Sequence, residues 1–95
     1  MVKLTWSPRA FHDLDEICDF IARDSARYAY LVAEGIVSVI ESIPVNPLRG
    51  AIVPEYNRAE LRERSFQNYR IVYRVGDDRV EIVTIVHAAR QLPSL

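Results

Sequence analysis

The sequence has one cysteine, Cys18, and one lysine, Lys3, among its 95 residues. A lone cysteine excludes a disulfide within the chain and a cysteine-rich metal centre, and it suits a reducing compartment. We therefore expect a cytoplasmic protein with no metal site and no cofactor. The first residues carry one cation and no long apolar run, so they are not typical of a signal peptide. We also expect no segment long enough to span a membrane.

Strong charge of either sign is also lacking. The formal net charge is −1 and the pI is about 6.1, whereas an avid nucleic-acid binder is usually clearly basic. The charge is uneven along the chain. Residues 1–45 hold four basic and seven acidic side chains, and residues 46–95 hold eight arginines and six acidic side chains. The C-terminal half is therefore mildly cationic.

The length and composition predict one folded domain covering residues 1–95. Hydrophobic residues make up 49% of the chain and charged residues 26%, which is ordinary for a globular domain. A chain this short buries only about 60–65% of the surface that its unfolded form exposes. A partner could therefore add substantially to its stability.

Two helices are predicted in the N-terminal half. Ser7 can cap the first, Pro8 suits its first position, and Trp6 and Phe11 occupy the two positions of a hydrophobic staple. Apolar residues then recur at helical spacing, at Phe11, Leu14, Ile17, Cys18 and Ile21. After the cap signal Asp24-Ser25, the same period continues until Pro44, through Tyr28, Val32, Ile36, Val39, Ile40 and Ile43.

Gly35 lies inside the second predicted helix, where glycine costs about 1 kcal/mol relative to alanine. We interpret it as a site of close approach, made either to the first helix or to a bound partner segment. The contact within the chain is the favoured alternative.

The C-terminal half predicts strands. Residues 44–57 are rich in proline, asparagine and glycine and are interpreted as a loop. Tyr69–Val75 alternates, residues 76–79 suit a turn, and residues 80–87 are rich in β-branched side chains, which predicts a hairpin with Val75 opposite Val80. One face would then carry Tyr69, Ile71, Tyr73, Val75, Val80, Ile82, Thr84 and Val86. The other would carry Arg70, Val72, Arg74, Glu81, Val83, Ile85 and His87.

A third strand is predicted around residues 59–66, but its alternation is poor and its register stays open. The resulting order is a strand, two helices and an antiparallel meander. We predict an α+β fold in which the helical hairpin packs on one face of the sheet.

Several short stretches in this order resemble the ParE/RelE superfamily of toxins, and the ParE branch more closely. They begin with Trp6-Ser7, Ala10, Asp13-Leu14, Ile17 and Phe20-Ile21. They continue with Pro54-Glu55, Arg62-Glu63, residues 68–75, Ile82-Val83 and residues 87–90. Arg64 departs from the pattern, which tends to be apolar at that position.

The resemblance implies the toxin of a type II toxin–antitoxin pair, which forms a hetero-oligomer with a cognate, ParD-like antitoxin. Such a toxin meets operator DNA only through the antitoxin and needs no membrane. ParE-like members inhibit DNA gyrase, whereas RelE-like members cleave mRNA in the ribosome without a metal. The single lysine and the absence of a tyrosine near the C-terminus favour gyrase inhibition, with mRNA cleavage or a divergent target as alternatives.

Candidate site residues follow from these alternatives. No catalytic residue is expected in an inhibitor. For a nuclease, the candidate base, acid and cations are Arg62, Glu63, Arg70, His87 and Arg90. The candidates for binding the target are Arg70, His87 and Arg90. The candidates for binding the antitoxin lie on the helical hairpin, at Phe11, Leu14, Val32, Gly35, Ile36 and Val39. Structural roles compete, namely an Arg62–Glu63 ion pair, a salt bridge of Arg70 to Glu63 or Glu81, and a structural His87.

Overall fold

The computed structural model of the protein describes residues 2–93. Two helices, α1 (Pro8–Ala22) and α2 (Ala26–Ser42), follow the strand β1 (Lys3–Trp6). Two short 3₁₀ turns, Ile43–Val45 and Pro47–Arg49, lead into the sheet. Its other strands are β2 (Ala51–Ile52), β3 (Leu61–Phe66), β4 (Tyr69–Val75) and β5 (Arg79–His87).

The five strands form one mixed sheet in the order β1-β5-β4-β3-β2. Strands β2 to β5 are joined by antiparallel pairings, and β1 lies parallel to β5 at the edge. The predicted α+β fold, with a helical hairpin and a meander, is therefore confirmed. Strand β2 is a correction, because residues 44–57 were interpreted as loop throughout. It comprises two residues, which is too short for a pattern in the sequence to indicate.

Both helices begin where the capping signals place them. The Ser7 hydroxyl accepts the N–H of Ala10 at 3.0 Å, and the Ser25 hydroxyl accepts the N–H of Tyr28 at 3.0 Å. The Trp6 and Phe11 rings stack with centroids 4.9 Å apart, so the predicted staple is present. These local contacts fix the direction in which each helix leaves the preceding segment.

The main core lies between the helices and one face of the sheet. Residues of α2 supply much of it, and strands β4 and β5 supply the rest. The fully or almost fully buried members are Ala10, Val32, Ile36, Ile40, Ile43, Ile71, Tyr73, Val80, Ile82 and Ile85. A smaller apolar cluster lies on the other sheet face, at Val53, Val72, Val86 and Leu92.

Helix α2 corrects one expectation. Together with the turn after it, the segment Ala26–Val45 is long and apolar enough to cross a membrane, judged by length and composition alone. Its apolar face, which includes Val32, Ile36 and Ile40, is buried in the main core. One face of α2 therefore packs in the core, and the rest of the helix lies at the surface.

A β-bulge in β5 changes the predicted faces of the sheet. Val75 lies opposite Val80 and Arg74 opposite Glu81, as predicted. Beyond that point Tyr73 pairs with Ile82 and Val72 with Thr84, so Val83 has no partner on β4. The extra residue shifts every later side chain of β5 to the opposite face. Ile85 therefore joins the main core, and Val86 joins the smaller cluster, contrary to the prediction for both.

The start of α1 holds this bulge in place. The Ser7 hydroxyl donates to the carbonyl of Val83 at 2.7 Å. The Asp13 carboxylate accepts the N–H of Ile85 at 3.0 Å and the hydroxyl of Thr84. Groups that the bulge removes from the strand ladder are thus satisfied by side chains of α1.

Gly35 allows a close approach within the chain. A Cβ atom placed on Gly35 would lie 2.1 Å from Cζ of Phe66 and 2.4 Å from Cε1. The contact is therefore internal, as favoured from the sequence, but it is made to β3 and not to the first helix. The same strand settles the open register, because Arg64 pairs with Ile71.

We expect Gly35→Ala to destabilise the fold although alanine is the better helix former. The new methyl group must displace the Phe66 ring, and overpacking of this kind costs about 1–3 kcal/mol, which exceeds the gain of about 1 kcal/mol in helix propensity. Urea denaturation of Gly35→Ala, Phe66→Leu and the double variant measures the coupling. If the loss of unfolding free energy in the double variant equals the sum of the two single losses, the assigned contact is contradicted.

Candidate functional site

The face of the sheet without helices carries a network of three charged side chains centred on Arg70. Its guanidinium donates to both carboxylate oxygens of Glu55, at 2.7 Å each, and to Glu63 Oε1 at 2.5 Å. The three side chains are only 13%, 9% and 19% exposed, in the order Arg70, Glu55 and Glu63. Two carboxylates therefore face one shielded cation.

This pairing determines the charge states of the network. The hydrogen bond from Arg70 lowers the pKa of Glu55 to about 2, with a smaller lowering by the N–H of Leu92. The hydrogen bonds to Glu55 and then Glu63 raise the pKa of Arg70 above its ordinary value. Glu55 and Arg70 are therefore both ionised at neutral pH, and the guanidinium donors are occupied by carboxylates of the chain itself.

The same network holds the C-terminal segment against the sheet. Glu55 Oε2 accepts the N–H of Leu92 at 3.2 Å, and Arg70 Nη1 donates to the carbonyl of Arg90 at 3.4 Å. The Tyr56 hydroxyl donates to the carbonyl of Pro93 at 2.7 Å. Leu92 is buried in the smaller apolar cluster. Residues 90–93 thus form a strap across this face.

The structure separates the residues considered for a nuclease. Glu63 and Arg70 are together, but each is bound within the ion network. Arg62 donates to the carbonyls of Leu48, Gly50 and Ala59 at 2.9–3.1 Å, so it braces the loop and makes no ion pair with Glu63.

His87 lies on the other face from Arg70, contrary to the prediction that they share one side. It is cross-strand partner to Tyr69, and the two rings meet edge to face with centroids 5.9 Å apart. The bulge at Val83 is the cause of the error. Arg90 is exposed, and only its backbone joins the network through the Arg70 contact.

The residues considered for antitoxin binding are divided by burial. Val32 and Ile36 lie in the main core at 1% and 0% exposure, so they are not available as docking residues on this fold. Gly35 is covered by Phe66. Leu14 and Val39 are partly buried against the core, and Phe11 is exposed. The prediction is wrong for Val32 and Ile36 because an apolar stripe on a helix does not show whether it faces the sheet or a partner.

Two grooves lie on either side of Arg90. The first, the helix-free groove, opens on the sheet face that the helices do not cover, and its volume is about 580 Å³. It lies between the strap and the first residues of α1, with Val83 and Val86 in its wall and Arg9 and Arg90 at its sides. The second, of about 350 Å³, lies between α1 and the end of the β4-β5 hairpin.

Sequence reasoning did not single out Phe20 in the second groove, nor Glu55 as the partner of Arg70. Both occur in the stretches that carry the family resemblance, which was the available signal.

Within residues 2–93, no group of three or more histidine, cysteine, aspartate or glutamate side chains is arranged to hold a metal ion. The groups that the site offers are arginines, carboxylates and apolar surface. They can recognise complementary charge and apolar side chains on another macromolecule.

Arg70→Ala should destabilise the fold strongly. The change leaves two shielded carboxylates without their cation, and breaking a buried pair costs about 3–5 kcal/mol. For a domain of this size the melting temperature should fall by at least about 10 °C. The control is Arg74→Ala on the same strand, where the expected loss is under about 1 kcal/mol. Equal melting temperatures for the two variants would contradict a structural role for Arg70.

The stability of the wild type should fall in acid because of Glu55. Its folded pKa of about 2 lies below its ordinary value of 4.5, so its stabilising contribution is complete above about pH 5 and is lost as the pH falls towards 2. Urea denaturation between pH 7 and pH 2 measures this slope. Glu55→Gln should be less stable at pH 7 and should show a shallower slope. Parallel curves for the two proteins would count against the assignment.

Comparison with known proteins places this arrangement in a family. Toxin RelE2 of Caulobacter vibrioides is 36% identical over 91 residues, which is 95% of this chain and 99% of that protein. Putative toxin Y4kP of Sinorhizobium fredii is 31% identical over 93 residues, 98% of this chain and 95% of that one.

A solved structure described as the chromosomal ParDE system from P. aeruginosa contains a chain with the same fold. Its TM-score is 0.77 at 22% identity, covering 92% of this chain and 96% of that one. The family model described as the ParE toxin of type II toxin–antitoxin systems matches residues 4–92. The chain therefore belongs to the ParE toxin family, within the ParE/RelE superfamily of type II toxin–antitoxin toxins.

Proposed function

We propose that this toxin acts as a protein inhibitor of DNA gyrase and not as a nuclease. The observation that carries the proposal is the engagement of Arg70 by Glu55 and Glu63. Cleavage of RNA without a metal needs cations free to stabilise a pentavalent phosphorane. Here two carboxylates surround the best-placed guanidinium and would repel a phosphate. Membership of the ParE family supports gyrase as the target.

Ribosome-dependent cleavage of mRNA is the second candidate function. It is favoured by the identity of 36% with a protein named Toxin RelE2. On this alternative, Glu63 and His87 would supply acid–base groups, and Arg90 would supply a cation. The separation of His87 from Glu63 by the sheet argues against such a site.

We also propose that a cognate antitoxin neutralises the protein and docks a segment in the helix-free groove. The lining of this groove has two arginines, Arg9 and Arg90, and no acidic residue. Its wall includes Val83, which the bulge leaves partly exposed. The groove therefore suits an apolar segment with flanking carboxylates. Structures of related folds described as toxin–antitoxin complexes support the partnership.

The purified protein should inhibit supercoiling by gyrase, and the antitoxin should reverse the inhibition. Supercoiling assays and a ribosome-programmed translation extract, both with the same preparation, measure the two activities. Discrete cuts in mRNA with normal supercoiling would replace the first proposal with the second.

Val83→Asp should weaken antitoxin binding at least about tenfold, since it places a charge in an apolar wall. Unchanged affinity would remove the helix-free groove as the docking site.

A further inference from the structure

The groove between α1 and the end of the β4-β5 hairpin contains an aromatic side chain that the fold does not use. Phe20 is 67% exposed. Its neighbours Ile17 and Ile21 pack against the main core, whereas Phe20 is not among the residues that do. Arg23 holds its guanidinium carbon 5.8 Å from the centre of the Phe20 ring. A large apolar ring is thus presented to solvent beside a cation.

Two further groups of this groove offer hydrogen-bond donors. His87 Nδ1 accepts the N–H of Ala89 at 3.2 Å, so the neutral ring carries its proton on Nε2 and can donate it. The guanidinium of Arg90 forms no ion pair or hydrogen bond through its side chain within residues 2–93. Both side chains line the groove and are exposed.

Of the two carboxylates that line the same groove, only Asp13 is shielded from solvent, and it is already engaged. Asp13 accepts hydrogen bonds from Thr84 and Ile85 and pairs with Arg9 at 3.4 Å. Glu16 is 66% exposed and contacts the His12 ring at the surface. The groove therefore has donors to spare next to apolar surface, and the chemistry complementary to it is a carboxylate adjacent to an apolar side chain.

We propose that this groove is the contact site for the protein target of the toxin. An apolar side chain of the target packs against Phe20 and Ile17, and a neighbouring carboxylate accepts hydrogen bonds from Arg90 and His87. Aromatic and arginine side chains around a small pocket are the composition in which a few contacts carry most of the binding energy. A volume of about 350 Å³ admits one or two side chains, which suits a folded surface better than a wrapped segment.

The inference rests on the proposed function only in requiring a protein target. Phe20→Ser is the test variant, and Tyr30→Ser is the matched control, because Tyr30 is also an exposed aromatic at 65% and lines neither groove. Both variants should melt within about 4 °C of the wild type, since neither ring is part of the core. Growth arrest on induction should be lost in Phe20→Ser and retained in Tyr30→Ser.

Measuring the affinity for the antitoxin shows whether the groove beside Phe20 binds the target or the antitoxin. We expect Phe20→Ser to bind the antitoxin within about twofold of the wild type, since surface changes outside an interface cost little. Val83→Asp should show the reverse pattern, with toxicity retained and antitoxin affinity lost. Weakened antitoxin binding by a fully toxic Phe20→Ser protein would assign the groove to the antitoxin and overturn the inference.

A second variant tests the charged half of the contact. Arg90→Ala should weaken binding of purified gyrase at least about fivefold at low salt, and it should reduce the dependence of binding on salt concentration. A salt dependence equal to that of the wild type, with toxicity intact, would overturn the role of Arg90. If the wild type arrests growth without binding gyrase, the proposed function fails, and the growth assays of Phe20→Ser and Tyr30→Ser still decide the groove.

Discussion

The unpaired residue in β5 determines which side chains of this protein share a surface. A strand alternates its side chains strictly, so one inserted residue exchanges the two faces for the rest of its length. Val83 is that residue, and the Ser7 and Asp13 side chains satisfy the backbone and hydroxyl groups around it. Without the bulge, His87 would lie beside Arg70, and Ile85 would leave the main core.

The two faces of the sheet consequently have different roles in the fold. One face is covered by the helical hairpin and supplies the core. The other carries the ion network of Arg70, Glu55 and Glu63 and the strap that ends at Pro93. Because the chain is short, part of this second face is covered by the four residues of the strap, 90–93, and not by a third layer of secondary structure. Apolar surface remains open beside Val83 and Val86 for a partner to cover.

The sequence was sufficient for the elements that depend on local chemistry. The Ser7 and Ser25 caps, the staple of Trp6 and Phe11, and strand β4 all follow from patterns within a few residues. The position of Gly35 in a helix also predicted a close approach within the chain correctly. The caps, the staple and strand β4 depend on neighbours in the sequence, where periodicity and capping rules apply directly. The partner of Gly35 is distant in the sequence, and it is Phe66 on β3 and not the first helix.

The errors arose where contacts between distant residues decide the outcome. The bulge depends on Asp13, which lies 72 positions from the Ile85 N–H that it accepts. Of the two partners predicted for Arg70, Glu63 is bound and Glu81 is not, and Glu55, in a loop 15 positions away, was missed. Val32 and Ile36 were interpreted as a docking surface because an apolar stripe does not reveal whether it faces the sheet or a partner. For the candidate site, therefore, residue types were predictable and their grouping was not.

Arg90 lies between the two grooves and lines both of them. A ligand that fixes this side chain on one side changes the wall presented to a ligand on the other side. Linkage then requires the effect to be equal in both directions. If a ligand in one groove lowers the affinity of the other groove by some factor, a ligand in that other groove lowers the affinity of the first by the same factor. At equilibrium, filling one groove would in that case raise, by that same factor, the ligand concentration that half-fills the other groove.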